Sequence, residues 1–327
     1  MPDSTASTTN PRGSATAGPI AVLAPSVRVS VTIEPGEAGE DIHIHAGGQG
    51  LWIARALRQL GHDVVACAPV GGESGRTLHG LIEGWGVRLH RVDTTSDTPA
   101  AVQDRRDGHR RELARSRHPS LRRHELDELY SRFLALAIEA GSCVVTGPEE
   151  LAIPMGDLYR RLGHDLHAAE VPAVADLHGH ALDAFLAGGS IALLKLSTRD
   201  LVADGRLDAS ATGSAQEAVI DEVMTDLLER GVDHVVVSRS AEPLLTATAE
   251  QRFRVTGPEL APVDTHGSGD TMTAALASGL VLGLDTTSLL ARAWAAGAAS
   301  VTRHGLGSAD AHLIERLADQ TTVEERH

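Results

Sequence analysis

Past residue 122 the chain runs on two alternating hydrophobic rhythms. Short segments are apolar at nearly every position: 143–146, 173–176, 191–195 and 234–238. Longer stretches with apolar residues three or four apart precede them, at about 125–139, 155–168, 181–186 and 217–230. Strands that are apolar on both faces and separated by helices predict a mostly parallel sheet covered on both sides. Residues 20–23 and 64–70 read as further buried strands, and 51–60 reads as a helix closed by Gly61. Ligands in such sheets bind beyond the carboxyl ends of the strands. Thr146, Gly147, Asp176, Lys195 and Ser238 fall at those ends.

Between these segments the pattern changes. Residues 27–33 alternate apolar and polar positions, and 43–45 looks like their partner strand across Pro35 and Gly36. Short strands are predicted at 87–92 and 100–104, and the turn 106–109 leads into another at 110–113. Few of these positions are continuously apolar, so the segments 26–45 and 87–115 are expected to form a small β-sheet lid with one wet face. Residues 1–19 are rich in Ser, Thr, Ala and Pro and read as a disordered tail. A single α/β domain over 20–310 is followed by a C-terminal helix and polar tail at 311–327.

Composition narrows the function. A net charge of −15 and an aromatic content of 2% oppose a general nucleic-acid surface, which needs clustered cations and stacking rings. No apolar run is long enough to cross a bilayer. Cys67 and Cys143 both lie in predicted buried strands, which favours reduced thiols and a cytoplasmic location. The 17 histidines are scattered, and neither His43 with His45 nor His178 with His180 has a third ligand nearby, so they read as surface or loop residues. Of 29 basic residues only Lys195 is a lysine. Arginine-biased codon usage explains the other 28 but not the exception.

The stretch Asp264-Thr265-His266-Gly267-Ser268-Gly269-Asp270 carries the most chemistry. Gly267 and Gly269 permit a tight turn in which successive N–H groups point the same way. The apolar helix that follows, 271–282, adds its unpaired N–H groups and positive dipole end, which together suit an anion. Asp270 places a carboxylate beside that cradle. Such a pair suits phosphoryl transfer onto a hydroxyl: amides hold the charge of the transition state and the carboxylate takes the proton. Spacing alone equally allows a plain helix N-cap.

Asp264 to Asp270 resembles the Asp-Thr-x-Gly-Ala-Gly-Asp signature of the ribokinase-like, or PfkB-type, carbohydrate kinases, with Ser268 in place of Ala. Gly47-Gly48-Gln49-Gly50 is similar to that family's N-terminal signature, and Gly71-Gly72-Glu73-Ser74-Gly75 to its second glycine turn. The run from Ala295 to Gly305 resembles the segment that closes its nucleotide pocket. The layout is nearest the hexose-phosphate branch that holds 1-phosphofructokinase and tagatose-6-phosphate kinase, where Leu194-Lys195-Leu196-Ser197 replaces Ile-Lys-Pro-Asn. The resemblance implies a three-layer ribokinase-like α/β fold and an ATP-dependent, Mg²⁺-assisted kinase of a sugar or sugar phosphate. Asp270 would be the general base, and the amides of Gly267, Ser268 and Gly269 would form the anion hole. Lys195, Ser238, Thr265, Gly269 and Gly297 would meet the nucleotide. Ser197 and Asp200 stand where Asn-x-x-Glu helps hold Mg²⁺ through water, with helix capping an equal alternative.

The departures lie on the acceptor side. Arg28 stands where the family has a hydroxyl-binding Asp, and Trp52 where it has Asn. Gln49 replaces a Lys, and Pro99 a substrate-phosphate Arg. Ser238 to Pro243 lacks the glycines of the nucleotide loop. Arg28, Gly47, Gly48, Gln49, Trp52 and Asp270 are the expected acceptor-binding residues, Arg28 holding a phosphate and Trp52 stacking on a sugar face. Two other readings stay open: a kinase of a nucleoside or other small alcohol, and a kinase-shaped regulatory protein with little turnover. Exposed lid edges with an apolar face predict a homodimer formed through the lid.

Overall fold

The computed structural model describes residues 19–37, 39–149, 155–260, 266–302 and 310–326. In chain order, β1 (Ile20–Leu23) leads into the antiparallel pair β2 (Arg28–Gly36) and β3 (Gly39–Gly47). Then come α1 (Gln49–Gln59), β4 (Val64–Val70), α2 (Gly72–Glu83), β5 (Arg88–Asp93), β6 (Ala100–Asp104) and β7 (Arg111–Arg115). The alternating region supplies α3 (Arg123–Ala140), β8 (Cys143–Thr146), α4 (Gly156–Ala168), β9 (Ala173–Asp176) and α5 (Gly179–Leu186). It continues through β10 (Leu193–Ser197), α6 (Thr198–Ala203), α7 (Gly213–Glu229) and β11 (His234–Arg239). The chain closes with β12 (Glu242–Thr248), β13 (Arg252–Thr256), α8 (Ser268–Val281), α9 (Thr286–Val301), α10 (Ala311–Ala318) and β14 (Thr322–Arg326).

Ten strands form one sheet in the order β14-β13-β12-β11-β10-β9-β8-β1-β4-β5. The pairs from β11 to β5 are all parallel, and β12, β13 and β14 add antiparallel at one edge. The alternation along β1 builds the layers. Ile20 and Val22 face a core shared with α1, α8 and α9, while Ala21 and Leu23 face a second core shared with α3, α4 and α7. Each fully buried Leu, Ile or Phe in these layers contributes roughly 1.5–3 kcal/mol. The result is the three-layer α/β arrangement predicted from the two rhythms. Among the described residues no helix is long and apolar enough to cross a membrane.

A second sheet, β3-β2-β6-β7, forms the lid. One of its predicted strands belongs elsewhere. β5, expected in the lid within 87–115, pairs in parallel with β4 and ends the large sheet. It is wet on one side because it is an edge strand, which makes its composition look like that of a lid strand. The expected polar tail is also corrected: β14 pairs with β13, and Arg326 reaches Asp221 at 2.9 Å. Cys67 and Cys143 are free and buried, and burial pushes both thiols up to about 12. Among the described residues no group of three His, Cys, Asp or Glu could hold a metal ion. His62 departs from the surface reading of the histidines: it is fully buried and lies 2.7 Å from Ser278 Oγ.

Candidate active site

The parallel strands deliver their last residues to one rim. Thr146 at the end of β8 lies opposite Asp176 at the end of β9, and Ser197 ending β10 lies opposite Ser238 on β11. Lys195, two residues before the end of β10, is buried and places Nζ 3.2 Å from Asp176 Oδ2. Burial alone would lower its pKa. Asp176, Asp200 and Asp270 outweigh that and raise it, so the side chain is a fixed cation.

α8 meets this cation with its first turn. Gly267 occupies the N-cap position at φ 76, and Asp270 is the third helical residue, so the carboxylate is not the cap. A Cβ on Gly269 would fall 2.7 Å from Lys195 Nζ. The lysine therefore lies directly against the backbone of the loop, and a side chain at position 269 would have to displace the ammonium. Thr273, one turn on, holds Oγ1 2.7 Å from Asp176 Oδ2 and 3.0 Å from Gly269 O, tying helix and strand ends together. The start of α8 and the ammonium thus lie side by side, and the positive end of a helix next to a cation is an arrangement that suits an anion. Gly297 on α9 packs close behind, its nearest backbone neighbour being Ser268 O.

Asp270 is 9% exposed. Burial, reinforced by the charges of Asp176 and Glu149 and opposed by Lys195 and Arg28, pushes its carboxyl up to about 7. A carboxylate poised there takes a proton from a hydroxyl far better than one with an ordinary pKa.

The acceptor side is built where the strand order reverses, between β1 and β8. Arg28 opens β2 just beyond β1. It is buried and ion-paired with Glu149, which follows β8. Its guanidinium lies 5.4 Å from the Trp52 ring centroid, so one face of that ring is taken. The Trp52 Nε1–H donates to Ala46 O at 3.2 Å. Gly48 caps α1 at φ 123, and a Cβ there would come within 2.3 Å of Ser26 O. Gly47 is paired with Arg28 across the lid strands, and Gln49 is the first, half-buried residue of α1.

Ser197 and Asp200 form a complete capping box at the start of α6: Asp200 Oδ2 accepts from Ser197 N and Oγ, both at 2.7 Å. Ser238 Oγ donates to Leu196 O at 3.3 Å. Asp264 and Thr265 lie outside the described residues. Sequence reasoning missed two residues. Thr273 sits one turn past the glycine loop on a polar position of an apolar helix, and that position is the only signal it left. Glu149 follows Thr146-Gly147-Pro148 at a strand end, and its partner 121 residues away is visible only in three dimensions.

A glycine loop, a buried lysine and a carboxylate meet at one rim of a parallel sheet, an arrangement suited to phosphoryl transfer onto an alcohol. The chain belongs to the pfkB family of carbohydrate kinases, whose model matches residues 28–312. Similar solved structures include phosphofructokinase-2 from Escherichia coli in complex with potassium, at 21% identity and a TM-score of 0.79. That match covers 92% of this chain and 98% of the other. The same enzyme in complex with fructose-6-phosphate matches at 20% identity and TM-score 0.75, covering 92% and 98%. A structure described as a possible 1-phosphofructokinase from Thermotoga maritima matches at 16% identity and TM-score 0.80, covering 94% and 100%. At these identities the likeness is one of fold.

Proposed function

We propose that this carbohydrate kinase moves the γ-phosphoryl group of ATP onto a hydroxyl of a sugar or sugar phosphate, with Asp270 as the base. The observation that carries this reading is the buried Asp270 beside Lys195 at the start of α8. The acceptor oxygen bonds to the γ-phosphorus while the bond to the β-phosphate oxygen breaks and ADP leaves. The acceptor proton passes to Asp270. Amides of Gly267, Ser268 and Gly269 receive the developing negative charge, and Lys195 neutralises the phosphates alongside. Ser238, Thr265 and Gly297 border the nucleotide, and Gly47, Gly48, Gln49, Arg28 and Trp52 the acceptor.

Mg²⁺ fits the donors present. Asp176, Asp200 and Asp270 all act on a single lysine, leaving an all-oxygen, net negative rim. Ser197 and Asp200 would hold the ion through water, since among the described residues no group of three His, Cys, Asp or Glu could ligate it directly. The ion would supply charge neutralisation between the phosphates. A second copy of this chain is the proposed partner at the lid, where Ile42 and Ile44 stand 65% and 52% exposed.

The test is ADP release from ATP across sugars, sugar phosphates and nucleosides, run beside Asp270→Asn. Transfer by the wild type that falls by about 10²–10⁴ in the variant supports the assignment. Ligand binding without turnover would instead favour the kinase-shaped regulator.

A further inference from the structure

The acceptor side holds a charge arrangement that narrows the substrate. Arg28 and Glu149 form a buried ion pair beside Trp52, in the crevice between the ends of β1 and β8. Both also act on Asp270 electrostatically, in opposite senses, so the pair borders the base. Arg28 Nε is buried and has no hydrogen-bond partner among the described residues, which leaves one donor of the guanidinium to be matched.

A phosphorylated acceptor needs a cation that is not already neutralised. Arg28 is matched by Glu149, and Lys195 is matched by Asp176. Four lid arginines are engaged in the same way, Arg105 with Glu34, Arg106 and Arg111 with Asp104, and Arg115 with Glu112, while Arg110 is held by the Gln103 side-chain carbonyl. A phosphate dianion set beside Arg28 would also sit beside Glu149, so its attraction to one is offset by repulsion from the other. Hydroxyl groups meet no such conflict. A vicinal diol can donate to the Glu149 carboxylate and accept from the guanidinium at once.

Resting on the kinase reading above, we propose that the Arg28–Glu149 pair binds the acceptor, with Glu149 as the hydroxyl-accepting residue, and that it selects an uncharged polyol over a sugar phosphate. The half-buried Trp52 ring beside the pair supplies the apolar wall for the sugar ring.

Binding separates this inference from the kinase reading. Wild-type protein with ADP is titrated calorimetrically with D-fructose, D-tagatose and D-ribose, and with fructose 6-phosphate and fructose 1-phosphate. At least one neutral sugar is expected to bind ten times more tightly than either phosphate ester. Glu149→Gln should weaken that sugar about tenfold and tighten the esters, because Arg28 is then unmatched. ADP affinity is expected to stay the same, which reports an intact fold. Esters that bind the wild type as tightly as the sugars, or no binding of any of the five, overturn the proposal. Should the variant fail to fold, the wild-type preference decides alone. Neutral-sugar binding without transfer from ATP would sink the kinase reading and leave this one standing.

Discussion

Asp270 combines two demands that ordinarily conflict, since a base must be ionised and burial opposes ionisation. With its carboxyl pushed up to about 7, kcat/KM is expected to climb as pH rises from 5 to 8 and to level off above that midpoint. A profile flat between pH 5 and 8 would rule this group out as the base. The same shift affects stability. A carboxyl raised above its unfolded value holds its proton in the folded state, so stability is present at low pH and is lost as pH climbs from about 4 through about 7. Asp270→Asn is therefore expected to melt at higher temperature than wild type at pH 8, and to differ little at pH 4. Lys195 gives the opposite outcome. Lys195→Met leaves Asp176 buried with Thr273 as its remaining partner, and urea unfolding should show a loss of about 3 kcal/mol together with weaker ATP binding. Most of these residues were legible in sequence, because a lone lysine, a glycine loop and strand-end carboxylates each carry a local signal. Glu149 was not, since its meaning depends on a partner 121 residues away.

Elements were legible wherever burial was complete. β8, β9 and β10 lie between two helical layers, so their near-continuous apolar runs left little ambiguity. Edge elements misled for the converse reason. β5 buries Val92 but exposes Arg88 and Arg91, a pattern shared with any half-wet strand, and only its pairing with β4 places it in the large sheet. β14 is mostly polar and becomes a strand because β13 offers it an open edge, with Arg326 held to Asp221. Truncation after Gln320 re-exposes that edge. A loss of about 1–3 kcal/mol in thermal or urea unfolding is expected, with kinase activity kept at 25 °C, because β14 lies three strands from β11. Activity lost in parallel with the strand would show that the two edges are coupled.

For the whole molecule, the lid turns Ile42 and Ile44 outward. In register they stand opposite Ile33 and Val31, and Val102 and Ala114 continue the same face. A second copy covering this surface would bury an apolar patch that a monomer leaves in water. Ile44→Asp is expected to shift light scattering from dimer to monomer mass at micromolar concentration. A wild type that is already monomeric there removes the proposal.

The layered α/β architecture, the rim at the strand ends and the loop that opens α8 are written in the residue pattern. These follow from local periodicity, turn chemistry and the helix start, which act over a few residues. Long-range packing sets Lys195 against Gly269, neutralises Arg28 with Glu149, and adds β5 and β14 to the large sheet. Those outcomes depend on charges and unpaired backbone groups brought together from distant parts of the chain, where no local pattern records which partner each one meets.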